Sequence, residues 1–227
     1  SSEKVKALAA VIQGKTRGNP FFIKMFLKNL YQEKLLQFQP AEGLWQWDAE
    51  KIGEMGITDN VVDLMVRQIK KLSKDTAHAL SIGSIMGNQF DLKLLARIQN
   101  ISVARVAETV WPSVKEGLLL PLNPNFNWVE HNWESDATVM FRFLHDLVQQ
   151  AAESLLRQEE KVRFNLEIGR ILRQLFWQDE LFEHIFSIVD HLNKGRSLID
   201  DKMELRQLCE YNLMAAKKAR LSSAYEP

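Results

Sequence analysis

Apolar residues return every three or four positions along most of this chain and give way to strict alternation only in short runs. Val5, Leu8, Ala9 and Ile12 form one stripe and predict a helix from Glu3 to Gly14. Phe22, Met25, Phe26 and Leu30 predict a second, from Pro20 to Glu33, with Asn19 as N-cap and Pro20 at the first helical position. Strand-like runs at Leu35 to Phe38 and Leu44 to Trp47 lie either side of Pro40 and Gly43 and read as a small hairpin. Ala49 to Met55 reads as a short helix. Thr58 opens a stronger one, with Val61, Val62, Met65, Ile69 and Leu72 facing inward. Ser73, Asp91 and Ser102 each precede a further helical stretch, and the last of these stops at Gly117.

The pattern changes after Gly117. Leu118 to Leu122 is followed by a polar loop, Asn123 to Asp136, and by the alternating run Val139 to Phe143. Met140, Arg142 and Leu144 point one way, and Phe141 and Phe143 the other. Three helices, a strand, a long loop and a strand is the order of a winged-helix domain, with a two-stranded wing. Trp128 and Trp133 in the loop are either partner contacts or residues that tuck back onto the domain. At His145-Asp146 the strand turns into a helix whose apolar face is Leu147, Val148, Ala151, Ala152, Leu155 and Leu156. Asp146 is the expected cap. His145 stands at the corner beside the free N–H groups of the first turn, where an imidazole can face a bound anion. The same spacing also suits a histidine that merely fits the turn.

From Gln158 the chain is helical to the end. One stripe is Phe164, Ile168, Ile171, Leu172 and Leu175; a second is Leu181, Ile185, Ile188, Val189 and Leu192. Lys194-Gly195 separates these from a third, Leu205, Leu208, Cys209, Leu213 and Ala216. Antiparallel helix pairs of this kind suggest the start of a helical-repeat arm. The expected fold class is therefore mostly α, in three parts. Residues 1–57 carry helices and a β-hairpin, 58–157 form the winged helix, and 158–227 the antiparallel helical segment.

Composition narrows the function. Lys plus Arg and Asp plus Glu balance at 29 each, and no segment is strongly basic, so global charge does not indicate a nucleic-acid or anionic-membrane partner. The helix opened by Ser102 would be the DNA-recognition helix, but its Arg105 and Lys115 are offset by Glu108 and Glu116, and Trp111-Pro112 interrupts its regularity. No apolar run approaches the ~20 residues of a membrane span, and no signal peptide is present. The single cysteine, Cys209, excludes an internal disulfide and suits a reducing cytoplasm; its neighbours predict a buried structural thiol. There is no Gly-rich phosphate loop, no strand ending in paired acids for magnesium, no zinc spacing and no marked nucleophile. His184 and His191 are seven apart, where a metal pair prefers i, i+4. On these residues the chain has no catalytic or metal site and is not by itself an enzyme. Ser1-Ser2 and Ala224-Tyr-Glu-Pro227 read as arbitrary ends of a piece of a longer polypeptide.

Four stretches carry a resemblance. They are K-T-R-G-N-P-F-F-I-K-M-F-L (15–27), L-W-Q-W-D with I-T-D-N-V-V-D-L-M (44–65), F-R-F-L-H-D-L-V-Q-Q-A-A (141–152) and I-V-D-H-L-N-K-G-R-S-L-I (188–199), the last followed by A-K-K-A-R-L-S-S-A-Y (216–225). Together they resemble the ATPase module of large bacterial, especially cyanobacterial, multi-sensor signalling kinases. In those proteins a serine/threonine kinase domain precedes a signal-transduction ATPase of the STAND class, within the AAA+ group, and helical repeats, a GAF sensor and often a histidine kinase follow. The resemblance spans nearly the whole chain but only the part after the P-loop core.

The resemblance implies that residues 1–57 are a helical lid, 58–157 a winged-helix domain and 158–227 the start of a partner-sensing arm. Gly18-Asn19-Pro20 matches the family's G-x-P motif, whose proline packs near the adenine. His145 matches the histidine that contacts the β-phosphate of ADP in related switch ATPases and holds the resting state. The implied cofactor is ATP or ADP, with magnesium bound mainly by residues upstream of Ser1. The implied partners are the upstream nucleotide core and downstream sensor domains of the same cytoplasmic polypeptide, and a protein on the arm. One departure is Glu153, in A-A-E-S-L, where the family pattern has an aromatic; it bears on local packing and leaves the nucleotide argument untouched. Two other readings remain open. One is an interaction scaffold with no nucleotide role, and the other a DNA-binding regulator.

Overall fold

The computed structural model describes residues 2–54, 61–122, 139–177 and 179–222. The expected wing tip with Trp128 and Trp133, and the expected start at Thr58, lie outside the described residues. The chain divides into two compact units, Ser1–Leu64 and Met65–Pro227. The division falls inside helix α4, Val61–Lys71.

The first unit holds α1 (Ser2–Thr16), α2 (Pro20–Gln32), the hairpin β1 (Leu36–Gln39) and β2 (Leu44–Trp47), and α3 (Ala49–Glu54). α1 ends because Arg17 and Gly18 both adopt positive φ, +50° and +76°. Only glycine takes that region at little cost, which explains Gly18. The chain restarts as α2 because the Asn19 carboxamide oxygen accepts from the backbone N–H of Phe21, at 2.9 Å, and of Phe22, at 3.4 Å. α2 buries Phe22, Met25, Phe26 and Leu30, the stripe the sequence predicts. The hairpin pairs Leu36 with Trp47 and Phe38 with Trp45.

The second unit begins its regular core at α5 (Lys74–Met86), whose cap is the Ser73 hydroxyl. It continues through β3 (Gln89–Asp91), α6 (Leu92–Gln99), α7 (Val103–Lys115), β4 (Leu119–Pro121), β5 (Met140–Phe143) and α8 (Asp146–Glu153). The three strands form one antiparallel sheet in the order β3-β5-β4. β3 is an addition to the two strands expected from sequence. It is three residues long and buries only Phe90, too short to show a period. β5 keeps the expected alternation, with Phe141 and Phe143 buried and Arg142 exposed. The Phe90 ring meets those of Phe141 and Phe143 in an aromatic core, with centroids 6.1 and 5.6 Å away. α7 runs on through Pro112 and ends at Lys115, close to the expected stop at Gly117.

Three long helices complete the unit: α9 (Gln158–Leu175), α10 (Asp179–Lys194) and α11 (Lys202–Ser222), with a 3-10 turn at Arg196–Leu198. α9 and α10 pack against each other, and Ile168, Leu172, Ile188 and Leu192 on them are buried. Polar staples then fix α11. The Arg170 guanidinium meets the Glu204 carboxylate with two bonds, of 2.7 and 2.8 Å, and the Lys218 ammonium donates to the carbonyls of Phe182 and Glu183 at 2.8 Å. The third expected stripe needs correction. α11 buries Leu208 and Ala215, while Cys209, Leu213 and Ala216 face outward. A helix packed on one flank buries one narrow face, and Cys209 lies off it. The native chain is therefore expected to react completely at Cys209 with iodoacetamide in the absence of denaturant. Protection that persists until unfolding would contradict its exposed position.

Candidate functional site

The corner between β5 and α8 is held from both sides. The Phe143 N–H donates to the carbonyl of Asn88, and the Leu144 N–H to that of Leu118. His145 follows in an extended conformation, φ −151° and ψ 148°. Its Nδ1 accepts from the Leu147 N–H at 3.2 Å, and its carbonyl accepts from Val148 at 2.9 Å. The cap of α8 is therefore His145, not Asp146. The Asp146 carboxylate accepts instead from the side-chain amide of Asn88, which displaces it from the capping position. A ring nitrogen that accepts carries no proton, so the ring hydrogen of the neutral imidazole lies on Nε2. The ring is half-buried and oriented by its own helix.

Gly18, Asn19 and Pro20 lie in the first unit and His145 in the second. The oxygen of Asn19 is engaged by α2, Pro20 occupies the first helical position, and Gly18 and Pro20 are exposed. Glu153, the departure from the expected aromatic, forms an ion pair with Lys161 at 3.0 Å. It thus joins the end of α8 to α9 by charge instead of a ring.

Other polar contacts behind the corner carry no local sequence signal. Asn88 and Asp146 are 58 positions apart, and the Gln149 amide donates to the carbonyl of Ser84 across 65. The two histidines at the seven-residue spacing diverge. His184 is exposed and stacks on Phe176, with ring centroids 3.8 Å apart. His191 is buried, and its Nδ1 lies 2.8 Å from the Asn165 carboxamide oxygen. Burial pushes the His191 imidazole down to about 4. Among the described residues no group of three or more His, Cys, Asp or Glu side chains could hold a metal ion.

No family model and no solved structure matches the chain. The chain is similar to a segment of a signal-transduction kinase. That protein is hybrid signal transduction histidine kinase G of Dictyostelium discoideum, 30% identical over 263 aligned positions that cover 99% of this chain and 8% of the relative. The chain thus spans less than a tenth of the length of the curated relative it matches. A relation to signal-transduction proteins follows. No helix among the described residues is long and apolar enough to cross a membrane.

Proposed function

We propose that the chain is the regulatory lid and winged-helix portion of a nucleotide-responsive switch ATPase of the STAND class, within a larger cytoplasmic signalling polypeptide. Residues 1–57 are the lid, 58–157 the winged helix, and 158–227 the start of an arm that receives a protein signal. The nucleotide is ATP or ADP. Its phosphate loop, magnesium ligands and catalytic residues are supplied by other segments of the polypeptide.

The His145 corner carries the reading. Nδ1 is committed to the cap of α8, so the ring is oriented before any ligand arrives. Nε2 carries the proton, and an imidazole N–H suits donation to a phosphate oxygen. The connectivity from α5 to β5, with β5 central in the sheet, supports a winged helix. Similarity to a signal-transduction protein supports a regulatory setting. In the resting state ADP draws the winged helix towards the nucleotide core through His145; ATP and a signal on the arm release it. This is a two-state element biased by ligand.

The test uses the longer polypeptide that also holds the phosphate loop. His145→Ala is expected to speed ADP dissociation about tenfold or more, the effect of losing one hydrogen bond to a charged acceptor. An unchanged rate removes His145 from the site.

One observation favours the scaffold reading. Tyr31, Phe38 and Trp45 are 58%, 46% and 49% exposed, and their rings cluster with centroids 5.4–6.1 Å apart. Exposed aromatic patches mark protein contacts. If that reading holds, the His145→Ala polypeptide retains ADP as the wild type does, and the aromatic patch alone governs partner binding. Duplex DNA is disfavoured, since on α7 Arg105 pairs with Glu108 at 3.3 Å.

A further inference from the structure

A cleft of about 370 Å³ opens where the C-terminal end of α5 meets α8, α9 and α10. That volume lies in the ~300–1,000 Å³ range of small-molecule sites. Its floor is polar where the rest of the α9–α10 contact is apolar. Asn165 and His191 line it and are only 6% and 4% exposed. The Asn165 side-chain nitrogen donates to the Lys161 carbonyl at 2.8 Å, so its oxygen is the acceptor and His191 Nδ1 the donor. His191 Nε2 is then an acceptor. The sides of the cleft hold two ion pairs, Lys161 with Glu153 at 3.0 Å and Lys194 with Asp190 at 2.7 Å.

This is a balanced arrangement of two cations, two anions and one buried neutral acceptor. A ligand of one sign matches only one member of each ion pair. A ligand carrying both signs replaces both halves together. We infer that this cleft is a binding site for a small zwitterion of the free α-amino-acid class. The ligand's carboxylate faces Lys161 and Lys194, and its ammonium faces Glu153, Asp190 and the Nε2 lone pair of His191. Nothing in this assignment depends on the nucleotide reading of His145.

The experiment is calorimetric titration of each of the twenty free L-amino acids into the 227-residue chain, with acetate and methylammonium as probes of a single sign. At least one amino acid is expected to bind with a Kd at or below about 1 mM, and neither single-sign probe to do so. Glu153→Gln and Lys161→Met, both at the partly exposed side of the cleft, are each expected to weaken binding about tenfold. His191→Gln should weaken it without altering the Asn165 contact. Absence of saturable heat from all twenty compounds overturns the inference. So does acetate binding as tightly as the best amino acid, which would mean a simple anion site. The wild-type comparison of amino acids with single-sign probes decides the matter even if a variant fails to fold.

Discussion

Gly195→Ala is expected to destabilise the second unit by about 3 kcal/mol, at the top of the range for overpacking a core. Gly195 follows α10 with φ −89° and ψ −2°, a conformation open to any residue, so the cost is not backbone strain. It is steric. A Cβ there would fall 2.6 Å from the Cα, Cβ and backbone nitrogen of Leu166 on α9. Leu166 is 5% exposed and in mid-helix, so it can retreat only if α9 and α10 separate. That would disturb the buried Ile168, Leu172, Ile188 and Leu192 on them. Gly169 makes a similar approach from the other helix, but its nearest neighbour at 2.7 Å is the Leu192 Cδ2, a side-chain atom with some freedom. Gly14→Ala supplies the contrast. Nothing lies within 4 Å of a Cβ at that position in α1, and alanine is the better helix former by about 1 kcal/mol. Urea denaturation separates the two. Gly195→Ala should shift the midpoint sharply down while Gly14→Ala leaves it level or raised. A Gly195→Ala midpoint equal to the wild type would refute the close packing of α9 on the end of α10.

Features legible in the sequence are those whose cause is local. Ser73, Asp91 and Ser102 cap their helices through neighbours two or three positions away, so residue type and spacing suffice. The alternation of Phe141 and Phe143 with Arg142 survives because one face of β5 is buried. The hairpin and its turn are equally local. What sequence hides is decided at a distance. Asp146 and His145 are adjacent and either can cap; Asn88, 58 positions earlier, takes the carboxylate and leaves the imidazole to the helix. β3 exists because β5 offers it an edge, not because three residues carry a pattern. Cys209 and Leu213 repeat at helical spacing with Leu205 and Leu208, but α11 buries only the face turned to α10, and no count of residues says which of two adjacent faces that is. The candidate site shows the same division. The position of His145 at a strand-to-helix corner is readable, whereas its tautomer, and the polar floor made by Asn165 and His191 across 26 positions, are not.

Acid should destabilise the second unit through His191 alone by about 3 kcal/mol between pH 7 and pH 4. Folded, the imidazole titrates at about 4 against 6.5 for an ordinary histidine, because burial penalises its charge; Asp190 opposes this shift and Lys194 reinforces it. At pH 7 the folded ring is neutral and the unfolded one only about a quarter protonated, so the stability difference is about 0.2 kcal/mol. As pH falls below 6.5 the unfolded chain takes up a proton that the folded chain refuses. Proton binding then favours unfolding, and the loss grows until the folded ring itself titrates near pH 4. Carboxylates add their own loss in acid. The Arg170 guanidinium holds the Glu204 carboxyl below its usual range, and that stabilisation disappears as Glu204 protonates. A comparison with His191→Gln removes the common part, since glutamine can keep a donor to Asn165 and does not titrate. The expected result is that the wild type and His191→Gln unfold with a difference in stability that changes by about 3 kcal/mol in favour of the variant from pH 7 to pH 4. Parallel stability curves across that window would mean that the folded chain charges His191 as readily as the unfolded one, and that burial does not penalise its imidazolium.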